Sequence, residues 1–156
     1  MAATKGTNSY VSLADADAYF DNKLDVAAWT DASTTQKEQA LVTATRTLDT
    51  LPWLGTVRDE SQTLAFPREG SYVDPARGSI IYFGTTPPQR ILDATCELAY
   101  HLLNNDGLLD DVGTVDAVSI GSISITNIKR ARLLPTSVFY LVKPLRTFGR
   151  QVWRAW

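Results

Sequence analysis

The sequence predicts a mainly α-helical domain of the α+β class. A helical-bundle body carries a projecting β-hairpin or loop, a short strand pair and an extended C-terminal arm. Three observations point there. Apolar residues recur at helical spacing behind capping residues in several segments. A glycine- and proline-rich middle separates two of them, and residues 117–127 alternate between apolar and polar.

In chain order, residues 1–8 are small and polar and predict a flexible N-terminus. Ser12 followed by Asp15 is a capping pair, and Leu13, Ala16, Tyr19 and Phe20 give the apolar spacing of a helix near 13–23. A second helix starts at Ser33 or Thr34, with Gln36 or Glu38 placed to reach back. Its stripe is Ala40, Leu41, Ala44, Leu48 and Leu51, and Pro52 stops it, with Trp53 and Leu54 folding under its end. Residues 55–86 predict the projecting loop or hairpin: LAFPREGSYV and SIIYFG are short strand candidates joined by the turn DPARG. Pro87 and Pro88 fit a helix entry, and Ile91, Leu92, Thr95, Leu98, Ala99, Leu102 and Leu103 cover so wide a face that this helix must be central. Asn104, Asn105 and Gly107 supply its stop. VDAVSIGSISITNI predicts one or two strands, with Gly121 shifting the phase as a bulge would. Pro135 opens a last helix with Val138, Phe139, Leu141, Val142 and Leu145 as its apolar face, kinked or ended by Pro144. One domain thus spans 9–145, and the arm spans 146–156.

Composition bounds the function. A length of 156 residues suits one self-sufficient core, and a single cysteine allows no internal disulfide. No apolar run approaches bilayer length, and MAATKGTNSY lacks the apolar core of a secretory signal, so a cytoplasmic origin and no membrane partner are expected. Charge is divided sharply. Residues 1–128 hold 8 Lys/Arg against 17 Asp/Glu, net −9, whereas residues 129–156 hold 7 Lys/Arg and no acid, net +7. Such asymmetry marks a surface for a charged partner, unless the basic end folds back on the acidic body.

No catalytic pattern is present. Asp15, Asp17, Asp21 and Asp25 lack the glycine and terminal glutamate of a calcium loop and read as a solvated face. Asp106, Asp110, Asp111 and Asp116 do not match that loop's ligand order either and read as an acidic exposed loop. Cys96 and His101 sit five residues apart, which turns them away from one another on a helix; Cys96 reads as core and His101 as a helix-end residue. The glycines match no phosphate-binding spacing. The chain reads as a non-enzyme with no cofactor and no metal. The interaction signal is KPLRTFGRQVWRAW. Arg146, Arg150 and Arg154 recur every four residues, while Phe148, Trp153 and Trp156 are equally suited to stacking on bases or anchoring in a protein interface.

Several segments together resemble a family of small tailed-bacteriophage proteins: NSYVSLADADAYF, AW at 28–29, the KEQALVTATRTLD helix, LAFPREG and PPQRILDATCELAYHLL. Phe66 stands where that family commonly has tryptophan, and Ile91 where it has valine. The resemblance covers roughly residues 8–105 and is looser beyond. Members are often labelled DnaT-like single-stranded-DNA-binding proteins, and in shape they are similar to head–tail connector (adaptor) proteins. The resemblance implies a virion protein at the head–tail junction, a ring commonly of twelve subunits beneath the portal. Its C-terminal segment, here Arg146, Phe148, Arg150, Trp153, Arg154 and Trp156, would dock on the portal. The 55–86 region, with Arg68, Tyr72, Arg77 and Tyr82, would touch a neighbouring subunit or a tail, nozzle or stopper protein. Genomic DNA would pass through without sequence-specific binding. An acidic body suits such a duct, since like charge prevents sticking. The rival expectation is a single-stranded-DNA-binding accessory protein of replication, and a third is a plain helical domain whose tail packs on itself.

Overall fold

A computed structural model describes residues 2–105, 117–120, 123–126 and 134–147. It is the α+β fold expected, a helical body with small antiparallel strand pairs.

Helix α1 spans Leu13–Asp21, and the hydroxyl of Ser12 accepts from the Asp15 N–H at 3.2 Å. A one-turn helix follows, α2 (Ala27–Thr30), too short for periodicity to reveal. It buries Trp29, whose indole N–H donates to Asp17 at 2.9 Å. Lys37 donates to the same carboxylate at 3.2 Å and lies over the Trp29 ring. Asp17 is therefore a structural acceptor rather than part of a merely solvated face.

Helix α3 is Thr34–Asp49. The capping residue is Ser33, and Gln36 closes a complete capping box, which satisfies two N–H groups that a helix start otherwise leaves bare. Helix α4, Gln89–Asn104, is the centre of the molecule and packs against α2, α3 and the last helix. Ile91, Ala94, Leu98 and Ala99 are fully buried on it. Cys96 is buried as expected, and burial first, then Asp93 and Glu97, push its thiol up to about 12. Helix α5 is Thr136–Val142, with Pro135 before it. Pro144 lies in the 3₁₀ turn Lys143–Leu145 that ends it, and Val138, Val142 and Leu145 are all fully buried.

Four short strands fill the middle. Strands β1 (Thr56–Val57) and β2 (Arg68–Glu69) pair antiparallel, as do β3 (Ser71–Asp74) and β4 (Ser79–Tyr82). This region is anchored, not loose: Leu64, Phe66, Tyr72 and Phe83 all enter the core. The outer face of β3–β4 and the exposed residues 55–61 lie at its surface. Strands β5 (Ala117–Ile120) and β6 (Ile123–Thr126) form two strands rather than one. They pair antiparallel, Ile120 with Ile123; Gly121, read as a bulge, lies outside the described residues.

The N-terminal residues, expected to be flexible, form a bonded turn. Gly6 N donates to Ser9 O at 2.8 Å, and the Asn8 side chain bonds Thr4 N and Ala2 O. Polar composition concealed this, because the bonds are local side-chain-to-backbone contacts. Just beyond, buried Tyr10 donates its hydroxyl to Asp49 and accepts from Phe66 N at 3.3 Å. Burial raises the Asp49 pKa, against the pull of Tyr10 and the Ala65 N–H. A carboxyl whose folded pKa exceeds its unfolded one contributes stability below the unfolded value and loses it as pH rises through the folded value. An asparagine in place of Asp49 would keep an acceptor oxygen without the charge. D49N should therefore gain on the native chain as pH rises, seen as a urea midpoint difference more favourable to D49N at pH 8 than at pH 4. A difference independent of pH would contradict this.

Candidate functional site

The described residues bring a cluster of cations together, in a cleft of about 630 Å³ between the β3–β4 hairpin, the start of α4 and the N-terminal turn. The hairpin forms because DPARG is a strong turn. The Asp74 carboxylate accepts from Ala76 N at 3.0 Å, Asp74 O accepts from Gly78 N at 2.7 Å, and Pro75 presets the bend. The inward side chains of β3 and β4 then line the cleft. Tyr72 and Phe83 stack with centroids 5.5 Å apart, and Ile81 and Leu92 add apolar wall. The charged lining is Lys5, Arg77 and Arg90 against Asp74 alone, so it is positive within an acidic body. Arg90 donates to Asp74 at 2.8 Å, while Arg77 stands at 3.9 Å with its side chain 74% exposed. The Ala76 N–H, then Arg90 and Arg77, hold the Asp74 carboxyl below the usual range. Lys5 is tied at 2.8 Å to Asp15 on α1.

Of the residues expected to touch a neighbour, Tyr72, Arg77 and Tyr82 meet in this cleft. Tyr72 is floor, and Tyr82 is 79% exposed at the rim. Arg68 is elsewhere and otherwise engaged. Its guanidinium donates to Leu54 O at 2.8 Å, Gly55 O at 2.6 Å and Ala65 O at 3.2 Å, and lies 5.9 Å from the Phe66 ring centre. It holds the 54–68 loop closed. Lys5, Asp74 and Arg90 were not foreseen. Lys5 lies in the turn that composition concealed, and Asp74 and Arg90 are 16 residues apart across a hairpin, a pairing that no local pattern reports.

Beside Tyr82 the hairpin turns an apolar face outward. Val73 and Ile80 are opposite one another and largely exposed. A second surface lies at the root of the arm. Trp53 bridges Arg146 antiparallel, Leu54 N donates to Leu145 O and Thr147 N to Pro52 O, both at 2.9 Å. Arg146 and Thr147, the first two residues of the expected arm, thus sit on the body. Tyr140 is exposed on α5, with exposed Lys143 three residues on. Phe148, Arg150, Trp153, Arg154 and Trp156 lie outside the described residues, as do Asp106, Asp110, Asp111 and Asp116.

Elsewhere on the body two more cations are held by acids. Lys23 meets Glu97 at 2.5 Å and Lys37 meets Asp17 at 3.2 Å. With Lys5, Arg77 and Arg90, that makes five of the 8 Lys/Arg of residues 1–128. Among the described residues no group of three His, Cys, Asp or Glu is placed to hold a metal ion, and no helix is long and apolar enough to cross a membrane.

A family model described as "Putative DnaT-like ssDNA binding protein" matches residues 2–151. The chain belongs to this DnaT-like family. No curated protein and no solved structure matches it. The match extends the resemblance seen over 8–105 to nearly the whole chain. The DnaT-like description speaks of single-stranded DNA and so agrees better with the replication-accessory reading than with the adaptor reading; it names no virion role.

Proposed function

We propose that this DnaT-like chain is a non-enzymatic assembly protein and, more finely, a head–tail adaptor of a phage virion. It would form a ring under the portal, join capsid to tail and line the DNA exit channel. The observation that carries this is the charge economy of the folded body. Four of the 8 Lys/Arg of residues 1–128 are bonded to its own acids, those residues carry net −9, and its projecting β3–β4 hairpin is apolar on the outside. A DNA-binding body would be basic over an exposed face. A protein that lets DNA pass and grips proteins needs an acidic wall and apolar contact surfaces. The basic, aromatic segment beyond Thr147 is the anchor on the portal, since Trp and Arg dominate interface hot spots. The chain would be made in the host cytoplasm and end at the head–tail junction, with portal, tail component and copies of itself as partners. In co-sedimentation with the portal of the same genome, the full chain should bind and the 1–147 truncation should not. Equal binding by both contradicts the anchor.

Two observations favour a second reading, an accessory protein binding single-stranded DNA in replication. The family description names that ligand, and residues 129–156 carry +7 and include exposed Lys143 near exposed Tyr140. In this reading the grip belongs to the C-terminal segment. Its signature is oligonucleotide affinity that falls steeply with salt and is lost in the 1–147 chain.

A further inference from the structure

The apolar residue most exposed among the described ones is Leu24, at 92%. It stands on the α1–α2 loop, followed by Asp25 in the left-handed region at φ 57°, a conformation that non-glycine residues adopt at a cost. Contacts to α4 fix the loop. Tyr100 donates its hydroxyl to Asp25 O at 2.9 Å, and Lys23, next to the leucine in the chain, bonds Glu97 at 2.5 Å. Asp21 and Asp25, three residues before Leu24 and one after it, are exposed. The result is an apolar knob flanked in the chain by acids.

The cation-rimmed cleft is the converse: aromatic and aliphatic floor, Lys5, Arg77 and Arg90 at its edge. The cleft lies at the start of α4 and the knob two to three turns further on. The cleft is built on Pro88–Leu92, and the knob rests on Glu97 and Tyr100, about 15 Å further along the helix axis from Arg90 to Tyr100. Helix α1 runs alongside, Asp15 and Tyr19 near Gln89 and Leu92, Phe20 against Tyr100. A chain's own Leu24 is therefore held away from its own cleft.

We propose that Leu24 of one copy seats in the hairpin–α4 cleft of the next, with Asp21 and Asp25 facing Arg77, whose side chain is 74% exposed and 3.9 Å from Asp74, beside the Arg90–Asp74 and Lys5–Asp15 pairs of the rim. A knob and a cleft at different places on the same chain make a head-to-tail contact, the kind that closes into rings. A second copy accounts for the exposed Leu24 as well as for the cleft, whereas a single strand stacking its bases on the aromatic floor would leave that leucine without a role. From the adaptor reading the inference takes only self-assembly, and it assigns the residues that perform it.

The test is sedimentation of the full chain over a range of concentration, with two variants. One carries Asp21→Lys and Asp25→Lys, the other Arg77→Glu. The side chains concerned are all exposed, and circular dichroism checks that the folds are kept. Each variant alone should self-associate about tenfold or more weakly. Mixed, they should associate again, because basic knob then meets acidic cleft and native knob meets native cleft. Leu24→Asp should weaken association without rescue by either. A native chain that stays monomeric throughout, or assembly that ignores these changes, overturns the inference. So does a loss of binding to a fluorescent single-stranded oligonucleotide in Arg77→Glu with association unchanged, which would give the cleft to nucleic acid. Portal co-sedimentation by the same variants separates the two ideas: portal binding with charge-insensitive assembly sinks the knob-in-cleft contact and leaves the adaptor reading standing.

Discussion

Alanine in place of Gly55 is expected to destabilise the protein by about 3–5 kcal/mol, combining left-handed strain with a backbone collision. Gly55 has φ +72°, and a Cβ there would lie 1.9 Å from Glu69 O, an atom of the β1–β2 ladder. Neither neighbour has room to yield. Gly70, at φ +128°, approaches from the other side, 3.1 Å from the Gly55 Cα to the position its own Cβ would take. The crossing of these two glycines allows the chain to fold Leu64 and Phe66 inward and carry on into the hairpin. At this chain length the loss amounts to a fall in Tm of roughly 6–20 °C. Calorimetry on G55A measures it, and a Tm within about 2 °C of native, a loss of about 1 kcal/mol or less, would contradict the close approach.

The second large effect is expected in the core. Leu98 is fully buried on α4, the helix that packs against both α3 and α5. Leu98→Ala removes buried methyls and leaves a cavity that surrounding helices cannot fill without shifting, at about 2–5 kcal/mol. Leu24→Ala is the contrast. It removes the same group from a position 92% exposed, and should change stability by only about 0.5 kcal/mol or less. Urea unfolding of the pair tests the assignment of core and surface. Similar losses in both would contradict it.

The helices were legible because their signals are local. Ser33 and Gln36 mark a start within four residues, and the α4 stripe repeats over four turns. The strand pair of 117–120 and 123–126 was legible from alternation. What escaped was short or distant. Helix α2 is a single turn, stabilised by Trp29 reaching Asp17 rather than by any pattern of its own. Arg68 reads as an available cation in sequence, yet three carbonyls from two separate stretches occupy it. The cleft was half legible: Tyr72, Arg77 and Tyr82 belong to one hairpin and could be grouped by register, but Arg90 and Lys5 join them only through tertiary contact. The knob at Leu24 left no trace in composition, because an exposed leucine differs from a buried one only in the fold around it.

The adaptor account stands or falls on what the portal carries after mixing. Purified portal should be incubated with the full chain and with the 1–147 truncation at physiological salt, and each mixture imaged by negative stain. The account predicts an added ring on the portal with the full chain alone. A bare portal in both mixtures, with the full chain retaining a single-stranded oligonucleotide that rising salt releases, would contradict it and give the C-terminal segment to DNA.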